Sequence, residues 1–296
     1  MKLLRLSRLL LAVAASPLFA HSGEPLEPHD LWTAWRFDPG VVIPLVIAAI
    51  LYIRGARTYR GVSLQQIACF TAGYLVLVVA LISPLHPLGE VLFSAHMVQH
   101  ELLMLVAAPL LVLSRPLVPF LWGVPLPLRR TLGRWSKWTP IERSWHALTR
   151  PMVAWWVHAI VLWIWHAPSF FQATLTNEWV HAAQHTSFLV SALLFWWSLF
   201  YVRGQAGYGV AVLYVFTTAV HTSILGALLT FAPTVWYPAY AATVANWGLS
   251  PIEDQQIGGL IMWIPAGIVY VVIGLWLFAA WLRESDAIAV SRGYLE

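Results

Sequence analysis

Seven long apolar runs, almost free of charge, constrain this chain more than any other feature. Measured against the roughly 20 residues needed to cross a bilayer, they lie at about 38–54, 64–83, 88–113, 151–168, 179–201, 209–231 and 257–282. The first is interrupted by Pro44, and the fourth is ended early by His166-Ala167-Pro168. Composition agrees: 59% of the 296 residues are hydrophobic and 10% are charged, against about 25% charged in a soluble domain. A soluble enzyme, a nucleic-acid binder and a disordered segment are thereby excluded. The fold class expected is an all-α integral membrane protein, a bundle of about seven transmembrane helices.

The amino end reads as a secretory signal peptide. Lys2, Arg5 and Arg8 flank the start of an apolar stretch, Leu9 to Ala15, which leads to Ser16-Pro17-Leu18-Phe19-Ala20. Cleavage after Ala20 leaves residues 21–37 as an extracytoplasmic tail, 38–282 as the transmembrane domain and 283–296 as a cytoplasmic tail; an uncleaved anchor is the alternative. Charge supports this orientation. Thirteen Lys and Arg fall in the segments placed inside, 54–63, 114–150, 202–208 and the tail after 282, whereas the outer segments hold only Arg36. Within the long inner loop, Pro127 to Trp138 mixes basic and aromatic residues as a segment lying on the bilayer does. No nucleic-acid-binding motif accompanies it. The outer loop 232–256 ends in Ser250-Pro251-Ile252-Glu253, a capping box with proline at the first helical position. Capping thus accounts for Glu253 and leaves Asp254 as the less committed acid.

A single cysteine, Cys69, rules out a disulfide framework or a thiolate zinc site. Metal chemistry therefore falls to histidine, methionine and carboxylate. Ionisable groups within spans are costly and mark function by default, and the 11 histidines are unevenly placed. His96, His100, His166, His181, His185 and His221 fall in the outer half or near the midplane of their spans; His21, His29 and His86 fall outside. His96 and His100 are four apart, about 40° from each other on a helix, with Met104 at about 80° and Met97 at about 100°. His181 and His185 repeat the spacing, with Glu178 one turn earlier. Imidazole suits copper, zinc, iron and nickel, and thioether biases the set toward Cu(I). The ligand set expected is His96, His100, His181, His185 and His221, holding Cu(I) between the third, fifth and sixth spans. Met97, Met104, His86 and His166 are accessory candidates. Glu178 or Asp254 would orient an imidazole, and the tail with His21 and His29 could receive the ion first. Each also has a structural reading: the methionines as core filler, His86 as a turn residue, His166 as a helix cap, and each histidine pair as hydrogen-bonding partners of a neighbouring helix.

The same residues carry a family resemblance. His86-Pro87-Leu88-Gly89, the stretch from Phe93 to Met104, His181-Ala182-Ala183-Gln184-His185, His221 with Gly226 to Phe231, Tyr237-Pro238-Ala239-Tyr240, and Glu253 to Trp263 together resemble the CtaG family of polytopic membrane cytochrome c oxidase assembly factors. They cover about residues 80–265. The resemblance implies a protein of the bacterial cytoplasmic membrane that helps mature a haem-copper oxidase of the caa type, at the stage of supplying copper to the catalytic subunit. Partners would be oxidase subunits, a periplasmic copper chaperone and the lipid bilayer. The family's metal-binding residues are not carried over, so the ligand set rests on spacing.

Three rival functions remain open to the sequence. A membrane electron carrier would ligate haem b with histidines from different helices, although two histidines four apart on one helix cannot sandwich one haem. A metal transporter would need a polar path through the inner half of the bilayer, where His158 is nearly alone. A scaffold for oxidase assembly would use the histidines only for packing. Catalysis is not expected, since nothing resembles a nucleophile with its base, a phosphate loop or a zinc-protease helix.

Overall fold

The computed structural model describes residues 26–135 and 137–293, so the expected signal peptide and His21 lie outside the described residues. A 3-10 turn, Pro28–Thr33, leads to Asp38, whose carboxylate accepts from the Gly40 N–H at 2.7 Å and starts α1, Pro39–Thr58. A reciprocal capping box between Ser63 and Gln66 starts α2, Leu64–Leu81. Then follow α3, Leu85–Val91, α4, Phe93–Glu101, a π-helical turn over Leu102–Ala107, and α5, Ala108–Leu113. The next segment folds into α6, Leu117–Gly123, α7, Leu126–Trp135, and α8, Thr139–Leu148. Four helices come after it: α9, Pro151–His166, α10, Pro168–Thr176, α11, Glu178–Trp197, and α12, Arg203–Thr230. The final helix, α13, spans Pro251–Gly293. Among the described residues there is no strand.

Among the described residues, five helical stretches are long and apolar enough to cross a bilayer: Pro39–Thr58, Leu64–Leu81, Phe93–Leu113, Gly207–Thr230 and Pro251–Glu284. Counting α8 and α9, which meet at 70°, as one bent span makes six. The remaining expected span, α11, has the length at 20 residues but falls short in apolarity. The residues that dilute it, His181, Gln184 and His185, are all buried. A span can afford such polarity only on a face turned into protein.

Three boundaries differ from the apolar runs. The third run, 88–113, is not one helix: Leu92 is extended (φ −129°, ψ 125°) and separates α3 from α4. The first run is not interrupted at Pro44, which lies inside α1. The last helix begins at the Ser250–Glu253 capping box, as expected, with Ser250 N–H donating to Glu253 Oε2 at 2.8 Å. It continues past residue 282 to Gly293, into the segment expected as a tail.

Close helix crossings position the site. α12 and α13 cross at Gly226 and Gly259, where a Cβ on Gly259 would come within 2.6 Å of the Thr230 nitrogen and 2.8 Å of the Gly226 carbonyl oxygen. Gly258 meets the Phe93 ring, which brings α13 against the first turn of α4. The core behind that contact contains Phe93, Phe171, Phe188, Phe195, Trp196 and Tyr237, all buried. At the π turn the Met104 carbonyl accepts from the Trp196 indole N–H at 2.8 Å.

Candidate metal centre

The site is assembled where α4 begins. An α-helix starts with unpaired N–H groups, and Leu92 has no side chain to cap them. The acid comes from α13: Asp254 Oδ2 accepts from Phe93 N–H at 2.6 Å, and Oδ1 accepts from Ser94 N–H at 3.1 Å and from the Ser94 hydroxyl. Asp254 is buried, and the positive end of the helix dipole compensates its charge. It was expected to orient an imidazole. Its carboxylate is instead engaged with the start of the helix that carries His96 and His100.

From that anchored start, His96 and His100 project from α4 toward His181 and His185 on α11. Ring centroids are 4.4 Å apart for His96 and His100, 5.2 Å for His96 and His181, and 5.4 Å for His100 and His185. His181 Nε2 and His185 Nε2 approach to 3.2 Å. The break at Leu92 folds α3 back, so that His86 stacks on His181 with centroids 5.3 Å apart. Two trios bring ring nitrogens within 4.8 Å of one another, His86, His181 and His185 in one, His96, His100 and His185 in the other. His185 belongs to both.

Hydrogen bonds fix several of these rings. Gln99 Nε2 donates to His86 Nδ1 at 3.0 Å and also to the Ala80 carbonyl. A neutral His86 therefore carries its proton on Nε2, 4.0 Å from Glu90 Oε1. Burial, followed by the nearby His181 and Arg36, pushes His86 down to about 3, which keeps the ring neutral at pH 7. His96 Nδ1 lies 3.3 Å from the Gly89 carbonyl oxygen and Nε2 3.1 Å from Gln184 Oε1. A neutral ring donates to only one oxygen, and the Gln184 amide nitrogen is otherwise unpaired. Rotating that amide lets Nδ1–H donate to Gly89 while Nε2 accepts from Gln184.

His100 is different. It is 1% exposed, and neither ring nitrogen has a hydrogen-bond partner. A buried polar group left in that state is costly. His166 lies beyond it, 5.9 Å between centroids, donating from Nδ1 to the Leu162 carbonyl at 2.7 Å and leaving a buried Nε2 unpaired. That is the usual arrangement of an imidazole whose other nitrogen is a ligand. Phe171 and Phe188 wall the cluster, and Tyr240 and Tyr237 close it by donating to the Gly89 carbonyl at 2.9 Å and the His166 carbonyl at 2.7 Å. At the rim, Arg36 pairs with Glu90. The donor set is thus a group of imidazoles without a thioether, which suits copper, zinc, iron or nickel.

Not every expected residue joins. His221 does not reach the cluster: Trp163 donates to its Nδ1 at 3.4 Å and its ring packs edge-on to Trp155. It lies on the α9 side of the bundle. Met97 and Met104 are buried in the apolar core, Met97 against Gly258. Glu178 is exposed in the first turn of α11. His29 is exposed on its 3-10 turn, 3.3 Å from Glu27 and 3.4 Å from Asp30. Sequence reasoning overlooked Gln99 and Gln184. The signal was present, since both pairs read His-x-x-Gln-His, at 96–100 and at 181–185, and each glutamine serves a histidine of another helix.

A family model described as cytochrome c oxidase caa3 assembly factor (Caa3_CtaG) matches residues 50–284. Proteins described as uncharacterized in Mycobacterium bovis and Mycobacterium tuberculosis are each 27% identical over 276 residues, 87% of this chain and 40% of the relative. One from Mycobacterium leprae is 24% identical over 277 residues, 88% of this chain and 41% of the relative. The chain therefore spans about two-fifths of the length of these curated relatives. No solved structure matches it.

Proposed function

Because the chain belongs to the cytochrome c oxidase caa3 assembly factor family, we propose that it binds copper, as Cu(I), and delivers it to the catalytic subunit of that haem-copper oxidase. The observation that carries this reading is His100. A buried imidazole with two unpartnered nitrogens, in one trio with His96 and His185, has lost hydration for nothing unless a ligand compensates. Metal held by His86, His96, His100, His181 and His185, not all at once, would leave through the same exchangeable imidazoles. The chain would act as a carrier and not as an enzyme.

Several finer features belong to this proposal. Seven spans would be α1, α2, α4 with α5, α9, α11, α12 and α13, with the amino end, freed by cleavage after Ala20, outside a bacterial cytoplasmic membrane and the carboxyl end in the cytoplasm. The cluster would then lie in the outer half of the bilayer, close to Arg36, the one basic residue of the outer segments. A periplasmic copper chaperone would supply the ion, with His21 and His29 on the tail as first contacts. The oxidase subunits would take it.

Metal content together with an optical spectrum tests the reading. Detergent-purified protein, expressed with copper under reducing conditions, is compared with the His181→Ala/His185→Ala variant. Near-stoichiometric copper that the variant loses, with no Soret band, is the expected result. A Soret band would turn the reading to a haem carrier, and neither copper nor haem would turn it to a scaffold.

A further inference from the structure

The segment between α5 and α9 stands apart from the bundle. α7 and α8 bury none of their residues, and each helix divides into two stripes. On α7, Arg130 and Arg134 are four apart and share one side, whereas Leu128 and Trp135, seven apart, share the opposite side. α8 repeats the division, with Arg143 opposite Ile141 and Leu148. An apolar stripe on a helix is ordinarily turned into a core, yet Leu128, Trp135, Ile141 and Leu148 are all exposed. α8 also meets α9 at 70°, so with α9 along the bilayer normal α8 runs close to the membrane plane.

Charge narrows what covers those stripes. Residues 54–63 and 114–150 hold ten Lys and Arg and one acid, Glu142, which already lies 3.9 Å from His146. Among the described residues none of the ten pairs with an acid, so this surface is not neutralised from within. Some of the cations are held in place by rings: Arg129 lies over Trp122 at 4.1 Å and Arg115 over Tyr201 at 4.9 Å. The Trp122 ring is also 5.4 Å from that of Tyr59, which joins α7 to the end of α1, where Arg54, Arg57 and Arg60 are exposed. A soluble polyanion would satisfy the charges and leave the apolar stripes in water. A bilayer of anionic phospholipid satisfies both, with hydrocarbon under the stripes and phosphate level with the basic side chains.

We infer that α7, α8 and the end of α1 form a binding surface for anionic phospholipid, with the leucines, Ile141 and Trp135 in the edge of the hydrocarbon and Arg130, Arg134 and Arg143 on the phosphodiesters. This is independent of copper at the histidine cluster. The test titrates the detergent-solubilised full chain with phosphatidylglycerol or with phosphatidylcholine of the same acyl chains, and counts retained lipids by native mass spectrometry. Phosphatidylglycerol is expected to bind about 100-fold tighter, about fivefold for each of three charges. Arg130→Gln/Arg134→Gln/Arg143→Gln is expected to bring the two lipids close to parity, whereas the corresponding triple Lys variant keeps the preference. A fluorophore on Leu148→Cys, in a Cys69→Ser background in nanodiscs containing phosphatidylglycerol, is expected to be quenched by a lipid spin-labelled near its head group. Equal binding of the two lipids by the wild-type chain, or a fluorophore that the spin label leaves unquenched, would overturn the inference whether or not the charge variants fold. So would an unchanged preference in the glutamine variant, or full competition by soluble glycerol phosphate, which marks a site for phosphate esters and not for a lipid surface.

Discussion

Among the described residues, histidines gather in one cluster and stand singly elsewhere, and the two arrangements use them in opposite ways. Between α4 and α11, imidazoles turn toward one another until ring centroids are 5.2 Å apart for His96 and His181 and 5.4 Å for His100 and His185, with glutamines and a backbone carbonyl steadying the rings. Away from that cluster two histidines have partners that are no ligand: His158 Nδ1 on α9 lies 3.2 Å from the Ser191 hydroxyl of α11, and His221 on α12 accepts from Trp163 of α9. Spacing distinguishes the two: two imidazoles four residues apart present a pair of nitrogens on one stripe, and two such stripes facing each other concentrate four. Lone histidines on α9 and α12 have no such neighbour and are absorbed by hydroxyl and indole groups.

The sharpest way to break this contrast is His185→Ala. His185 belongs to both trios, so its loss is expected to weaken Cu(I) affinity by more than about 100-fold, beyond the range for losing an outer-shell partner. His86→Ala disrupts one trio only and should cost less, as read by competition with a Cu(I) chelator of known affinity. Equal losses in the two variants would contradict the shared role of His185. Asp254→Asn comes next in size. The amide offers one acceptor where the carboxylate met two backbone N–H groups and a hydroxyl, and stability should fall by about 2 kcal/mol. Limited proteolysis of solubilised protein should show new cleavage near Leu92 before any elsewhere. Unchanged proteolysis would mean that the α13 contact, not the cap, holds α4 in place.

Much of this site was readable from the sequence, and the remainder had physical reasons to be hidden. The two histidine pairs, their common face and the capping box at Ser250 follow from helix periodicity and from local hydrogen bonding. The break at Leu92 does not, because no proline or glycine occupies that position; it depends on Asp254, 162 residues away, to complete the new helix start. Without that break His86 reads as a turn residue instead of a fifth imidazole. His221 shows the complementary limit. Its place on a long apolar helix was legible from residue counting, but which neighbour it faces depends on how α12 is rotated against α9 and α13, which cross α12 at Trp163 and at Gly259.

The glutamines sharpen the contrast at smaller scale. Gln184→Leu removes the amide at His96 Nε2, and Gln99→Leu removes the donor at His86 Nδ1. Each should lower Cu(I) affinity about tenfold, the lower end of the outer-shell range, while stoichiometry stays the same. A loss of stoichiometry would instead mark the glutamine as structural.

The smallest expected effect falls on the single histidines outside the cluster. His221→Phe should leave copper stoichiometry and affinity unchanged, because the residue shares no ring contact with the five imidazoles and its loss orphans only the Trp163 N–H. That costs about 1 kcal/mol of stability at most. The same holds for His158→Phe, which frees the Ser191 hydroxyl that also bonds the Phe188 carbonyl at 3.1 Å. Phe188 walls His100, so a copper defect in His158→Phe alone would reveal mechanical coupling to the cluster along α11. A defect in His221→Phe would mean more. It would place a sixth imidazole in the copper route and merge two regions that the structure keeps apart.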